Sequence, residues 1–322
     1  MAHILITHTL PQTVADTLQA AGHTVAQETF TKPPTQEELI AALGRAQYDV
    51  VITLLTDKIT AAVMDAAPSV RLWANYATGY DNIDIAAAQS RGMMVTNAPT
   101  VESAEAVAEH TIALLFALSR NVVAADSYTK AGKYEGWDPM LFIGTNFFKK
   151  TIGIIGAGKI GRRVAYYARA LGLTVVYHDI NHDKELEETL GATFLQSNED
   201  VLRQADFISL HVPLLDTTRH LINKERLSLM KSTAYLVNTA RGAVVDEDAL
   251  VTALTEKRIA GAALDVYEHE PQMSEQLRAL TTVILTPHIA SASVEARAEM
   301  CDVVLKNVLA FAAGHELPNR IQ

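Results

Sequence analysis

Three side chains that together could reduce a carbonyl beside a carboxylate lie in the second half of the chain. They are Arg241 in NTARG, Glu270 in EHEP and His288 in TPH. A guanidinium can clamp a carboxylate with two parallel hydrogen bonds. An imidazole is a competent proton donor near neutral pH, and a carboxylate beside it favours its charged form. Upstream, residues 151–179 read TIGIIGAGKIGRRVAYYARALGLTVVYHD. Here Gly156, Gly158 and Gly161 form G-x-G-x-x-G between an apolar run and an amphipathic one. The first glycine permits a tight turn, the second a close approach of pyrophosphate, and the third close helix–strand packing, with helix N–H groups facing the anion. Asp179 closes the next apolar run, where a carboxylate accepts hydrogen bonds from both ribose hydroxyls and repels a 2′-phosphate. NAD is therefore expected, with NADP as the alternative that His178 and Asn181 leave open. Gly153 to Lys159 also opens a P-loop pattern, but Ile160 replaces its Ser/Thr, so the magnesium ligand of a nucleotide hydrolase is missing.

The elements that must position these groups alternate along the chain. Strand-like runs occur at 3–7, 49–54, 70–73 and 93–96, then at 151–155, 174–178, 206–211, 234–238, 260–265 and 283–286. Amphipathic stretches at 11–21, 35–46, 60–66, 160–171, 199–204, 224–230 and 246–257 separate them, and 101–131 reads as one long helix stopped at Gly132. Strands alternating with helices imply parallel sheets of the α/β class. Arg241, Glu270 and His288 then all follow strand C-termini, where such sheets place ligands. A last helix near 293–313 has no sheet of its own to join, so it is expected to return to the first domain, making the second an insertion.

The length of 322 residues suits two domains. Charge of 27 − 37 = −10 argues against wholesale binding to nucleic acid or an anionic membrane. The single Cys301 excludes an internal disulfide and a cysteine-built zinc site. The start, MAHILITHTL, has no basic region followed by a long apolar one, and the apolar run 112–118 falls short of the ~18 residues of a membrane span. A cytoplasmic protein is expected. His269 between Glu268 and Glu270 has no second ligand pair, so no metal is expected. His211, also at a strand end, rivals His288 as the acid, although a histidine merely packed beside the cofactor is the simpler reading.

Six segments resemble the D-isomer-specific 2-hydroxyacid dehydrogenases: ATGYDNID at 77–84, GAGKIG at 156–161, LHVPLLDTTRHLIN at 210–223, VNTARGAVVDEDAL at 237–250, ALDVYEHEP at 263–271 and TPHIAS at 286–291. The likeness spans essentially the whole chain. It implies a Rossmann NAD-binding domain (100–288) inserted into a smaller flavodoxin-like substrate domain (1–99 and 289–322), both doubly wound parallel sheets. Arg241 would bind a 2-oxo acid, His288 would act as acid/base and Glu270 as its partner. Leu54 and the backbone of Thr78 and Gly79 would contact substrate. Lys159 and Ile160, with Val212, Pro213, Thr217, Thr239, Ala240 and Asp265, match cofactor-lining positions, Asp265 facing the nicotinamide amide. GKYEGWDPMLFIGTNF at 132–147 is most similar to the glyoxylate/hydroxypyruvate reductase branch, in which the tryptophan matched by Trp137 reaches the partner's pocket in a homodimer. The apolar segment 111–118 suits such an interface, or else an intrachain core. Alternatives are the same chemistry on pyruvate, 2-ketogluconate or phosphoglycerate, or an NAD-sensing protein resembling the C-terminal-binding corepressors.

Overall fold

The computed structural model describes residues 1–321. It contains two units, Met1–Ser103 with Ala292–Gln322, and Ala104–Ser291. The first is built on β1 (His3–Ile6), β2 (Thr24–Gln27), β3 (Val50–Leu54), β4 (Leu72–Tyr76) and β5 (Met94–Thr96). Their order is β2-β1-β3-β4-β5 with every neighbouring pair parallel, the flavodoxin-like arrangement. The central strands are short continuous apolar runs, as a sheet covered on both faces requires. One face packs on Val14, Leu18 and the C-terminal helix Val294–Ala313, through Met300, Val304 and Val308. The other packs on Leu39, Leu43, Val63 and Met64. The last helix thus belongs to the first unit although the whole second unit separates it from β5.

The second unit holds β6 (Thr151–Ile155), β7 (Thr174–His178), β8 (Thr193–Phe194), β9 (Phe207–Leu210), β10 (Tyr235–Asn238), β11 (Gly261–Leu264) and β12 (Val283–Leu285). The order β12-β11-β10-β9-β6-β7-β8 is again wholly parallel. It is the doubly wound dinucleotide-binding order with one added edge strand. Its direction reverses between β6 and β9, so the ligand crevice opens beyond the C-terminal ends of those two strands. Two apolar clusters cover the faces of this sheet.

Several elements differ from the sequence reading. The stretch 101–131 is two helices, Val101–Ser119 and Val122–Lys130, bent by 62°. The break is Asn121, whose φ of 54° lies in the left-handed region that asparagine tolerates better than most side chains. The run at 70–73 enters its strand only at Leu72 and continues to Tyr76. Two further edge strands, β2 and β8, carry no apolar run, one reading TVAQ and the other only TF. Among the described residues no single helix is long and apolar enough to cross a membrane.

Candidate active site

The glycine-rich turn after β6 is built as a dinucleotide loop requires. Gly156 has φ +93°, and a Cβ there would strike the His211 carbonyl at 2.6 Å and the Val212 side chain at 3.0 Å. The turn therefore nests against the segment leaving β9, at the reversal of strand order. A Cβ on Gly161 would run into the Gly156 carbonyl, whereas a Cβ on Gly158 would meet nothing within 4 Å. That open space above Gly158, at the start of the helix Lys159–Ala170, is where a pyrophosphate can reach backbone N–H groups. Lys159 and Ile160 form the first turn of that helix. Asp179, just after β7, accepts hydrogen bonds from the N–H groups of Ala157 (2.7 Å) and Asn181 (3.1 Å). A cavity of about 710 Å³ adjoins it, lined by Gly158, Lys159, Arg162, Asp179 and His182 among others. Arg162 is engaged by Asp183 at 2.6 Å and Glu185 at 3.2 Å. The glycine geometry, the open space and the ribose-side carboxylate all fit an NAD.

On the other side of the reversal, the ends of β10, β11 and β12 carry Arg241, Glu270 and His288. His288 Nδ1 lies 2.8 Å from Glu270 Oε2, and the Tyr267 N–H holds the other carboxylate oxygen at 3.0 Å. Burial pushes the Glu270 carboxyl up. The His288 hydrogen bond and charge, the Tyr267 N–H and the Arg241 charge outweigh that and hold it below the usual carboxylate range. His288 sits at φ +54°, a strained conformation for a non-glycine residue. The fully buried Asp265 explains how the turn is kept. Its carboxylate accepts from Thr286 Oγ1 (2.6 Å) and from the N–H groups of Ile289 (2.9 Å) and Ala290 (2.7 Å). His110 Nε2 lies 3.7 Å from the Oδ1 of Asp265.

His211 differs sharply from His288. Its Nε2 lies 2.7 Å from Ser209 Oγ, its Nδ1 is buried without a protein partner, and burial pushes its pKa down to about 3. A ring kept neutral at ordinary pH is a poorer general acid than one paired with a carboxylate, as His288 is with Glu270. Val212, Pro213 and the exposed Thr217 follow β9, and Thr239 and Ala240 precede Arg241. Thr239 Oγ1 pairs with Thr111 Oγ1 at 2.9 Å, and the Ala240 N–H donates to Asn238 Oδ1 at 3.0 Å. Trp137 is 84% exposed in the second unit. Among the described residues no group of three or more His, Cys, Asp or Glu is arranged to hold a metal.

Two residues of this site escaped the sequence reading. Asn238 holds the Arg241 turn from both ends, donating to the Arg241 carbonyl at 2.9 Å and accepting from Ala240. A Cβ on Gly242 would overlap Tyr267 C and O and the Glu268 nitrogen. Only glycine lets the Arg241 turn pack on the segment carrying Glu270. Both lie in the quoted stretch VNTARGAVVDEDAL, yet nothing local shows that they touch 267–268.

In the first unit, Leu54 ends β3, and Thr78 and Gly79 follow β4. Three successive carbonyls there are anchored: Ala77 O accepts from Ala98 N (2.8 Å), Thr78 O from Asn97 Nδ2 (2.6 Å) and Gly79 O from Asn75 Nδ2 (2.9 Å). Across a trans peptide the N–H points opposite to the C=O. The N–H groups of Thr78, Gly79 and Tyr80 therefore point away from those anchors, and among the described residues none has a protein acceptor. Successive amides of this kind form an anion receptor.

Residues 112–290 match the family model of the D-isomer specific 2-hydroxyacid dehydrogenase, NAD binding domain. The chain is 45% identical over 279 residues to a glyoxylate reductase of Thermococcus litoralis, covering 85% of this chain and 84% of that protein. Among solved structures, the NADPH-dependent glyoxylate/hydroxypyruvate reductase of Sinorhizobium meliloti, in complex with NADP and malonate, is 32% identical with a TM-score of 0.87. That match covers 99% of this chain and 96% of the other. D-lactate dehydrogenase from Aquifex aeolicus, complexed with NAD and lactic acid, is 30% identical with a TM-score of 0.83, covering 97% and 96%. A dinucleotide loop at the strand-order reversal, a histidine–carboxylate pair two strands away and these matches agree: the protein belongs to the D-isomer-specific 2-hydroxyacid dehydrogenases, NAD-binding oxidoreductases acting on 2-oxo and 2-hydroxy acids.

Proposed function

We propose that this chain reduces glyoxylate, and hydroxypyruvate by the same chemistry, to the corresponding 2-hydroxy acid with NADH. The observation that carries the reading is the 2.8 Å pair of His288 Nδ1 and Glu270 Oε2, with the Arg241 charge acting on the same carboxylate. NADH, when bound, supplies the hydride to the carbonyl carbon. Arg241 holds the substrate's carboxylate in this reading. Glu270 accepts from Nδ1, so in the doubly protonated ring Nε2–H is the remaining donor and passes its proton to the oxygen as negative charge grows there. The ring is left neutral with Nδ1–H still on Glu270.

Val212, Pro213, Thr217, Thr239 and Ala240 line the cofactor in this reading, with Asp265 on the side of the nicotinamide amide. Asp179 favours NADH, since a 2′-phosphate would meet a carboxylate and an Arg162 already held by two acids. The functional unit is a homodimer. Trp137 (84% exposed), Met140 (73%), Tyr134, Ile143 and Phe148 lie open on one short stretch of chain, more apolar surface than a monomer usually leaves to water. Trp137 then walls the partner's pocket. The cytoplasm, with its nicotinamide pool, is the compartment this reading requires.

Specificity constants for a panel of 2-oxo acids, measured with NADH and NADPH in parallel, test the proposal. Glyoxylate or hydroxypyruvate with NADH should rank first. No turnover on any of the panel would sink it, and an NADH-dependent peptide partner without turnover would point to a sensor instead.

A further inference from the structure

We propose that Asn75, a fully buried amide on β4, is the positioning residue that aims the anion-binding amides at 78–80 toward the substrate's carboxylate. The inference rests on the function proposed above. Asn75 stands among Leu72, Trp73, Ala74 and Tyr76 in a sheet that packing alone would fill with apolar side chains. Burying an amide there is unfavourable unless all of its hydrogen bonds are made. They are made: Nδ2 donates to Gly79 O (2.9 Å) and Asn82 Oδ1 (3.0 Å), and Oδ1 accepts from Thr53 Oγ1 (3.0 Å) and Asn82 Nδ2 (3.3 Å).

Those partners join the two segments assigned to the substrate. The two N–H groups of Asn82 Nδ2 serve the carbonyls of Leu54 and Asp57, each at 3.0 Å, and one of them is shared with Asn75 Oδ1 at 3.3 Å. The Asp57 carboxylate, itself fully buried, takes the Leu54 N–H at 2.9 Å, Thr7 Oγ1 at 2.6 Å and His8 Nε2 at 2.7 Å. Leu54 and Gly79 are thus fixed by one fully bonded network whose centre is Asn75. Because the Gly79 carbonyl is tethered inward, the Tyr80 N–H on the same peptide plane must point outward. Without the tether that plane can turn, presenting a carbonyl oxygen to the bound carboxylate in place of an N–H.

The kinetic consequence is specific. The substrate's carboxylate keeps its charge from ground state to transition state, so an amide held on it stabilises both alike. Losing that contact raises KM and leaves kcat nearly unchanged.

The test compares Asn75→Ala with Thr53→Val in the full-length protein. Thr53→Val removes a bond to Asn75 Oδ1 and leaves the Gly79 tether in place. Asn75→Ala should raise KM for glyoxylate by roughly tenfold or more with kcat within about twofold. Thr53→Val should lower thermal stability while KM stays within about twofold. Should Asn75→Ala not fold, 15N-labelled wild-type protein is titrated with oxamate, which carries the same carboxylate and is not reduced. The amide resonances of Thr78, Gly79 and Tyr80 are then expected to move. Wild-type KM in folded Asn75→Ala, equal rises in KM for both variants, or unmoved amides would overturn the inference. Failure of the wild-type protein to turn over any 2-oxo acid would instead remove the proposed function, and this inference with it.

Discussion

Replacing Gly242 by alanine should disable the enzyme without touching a charged or hydrogen-bonding side chain. The added methyl carbon would overlap the carbonyl group of Tyr267 and the nitrogen of Glu268. These are backbone atoms, so no rotamer change relieves the clash. Ordinary carbon contacts lie at about 3.5–4.0 Å, which means that the two segments must part by more than about 1 Å. The Arg241 turn cannot retreat freely, because Asn238 binds both its Ala240 N–H and its Arg241 carbonyl. The displacement therefore reaches Glu270, three residues beyond Tyr267, and through the 2.8 Å bond it reaches His288. Overpacking of this kind costs about 1–3 kcal/mol of stability. A misplacement near 1 Å among reacting groups costs roughly 10²-fold in rate. The assay is NADH oxidation with glyoxylate, beside NADH affinity from fluorescence titration and thermal unfolding. We expect kcat/KM to fall about 10²-fold, with NADH affinity changing far less because its pyrophosphate loop follows β6. A folded Gly242→Ala protein with wild-type kcat/KM would refute the reasoning, since the two segments would then not need to touch for catalysis.

Four further outcomes are expected. His288→Ala should lower kcat by roughly 10²–10⁴ in a folded protein, and wild-type rates would mean that another group supplies the proton. If Asp179 accepts from the ribose hydroxyls as proposed, Asp179→Ala should raise KM for NADH by roughly tenfold or more and narrow any preference over NADPH, as parallel titrations would read. Burial lowers the His8 pKa, but the Asp57 hydrogen bond and charge and the Phe30 carbonyl outweigh it and leave the ring above its ordinary value. The protonated ring therefore stabilises the fold fully below its unfolded pKa of about 6.5, and that contribution disappears as pH rises through the raised folded value. Denaturant titrations should show the pH dependence in wild type and its loss in His8→Asn. If the exposed apolar stretch 134–148 is the proposed dimer interface, the wild-type protein should sediment as a dimer and Met140→Lys with Ile143→Lys as a monomer, and a monomeric wild type or an unchanged assembly would refute that interface.

Local patterns carried the reading of the two sheets. Parallel strands covered on both faces are apolar runs of four or five residues, so β1, β3, β6, β7, β9, β10 and β11 were legible to within a residue or two at each end. Strands β2 and β8 were not, since TVAQ and the two-residue TF hold too few apolar residues to form a run, whereas the edge strands β5 and β12 keep one. The helix break at Asn121 was equally hidden, because the surrounding sequence continues an acceptable helix and the left-handed residue is an asparagine, not a glycine. The expected site of Asp265 also sharpened: its carboxylate first anchors the His288 turn, which only the contacts to 286, 289 and 290 reveal.

By itself the sequence determined the alternation of strands and helices, the glycine-rich turn with its carboxylate, and the place of Arg241, Glu270 and His288 beyond strand ends. Each of these is written in a short stretch of chain, as side-chain period or as motif spacing. Tertiary structure alone showed that His211 and His288 differ in what surrounds them: one bonds Ser209 with its Nδ1 enclosed, the other lies on a turn held by Asp265 and is paired with Glu270. It likewise decided that Asn75 and Gly242 matter, one through the hydrogen bonds it satisfies and the other through the atoms it lacks. Desolvation, pairing and steric fit arise between segments brought together by folding, so they leave no period or spacing in the sequence.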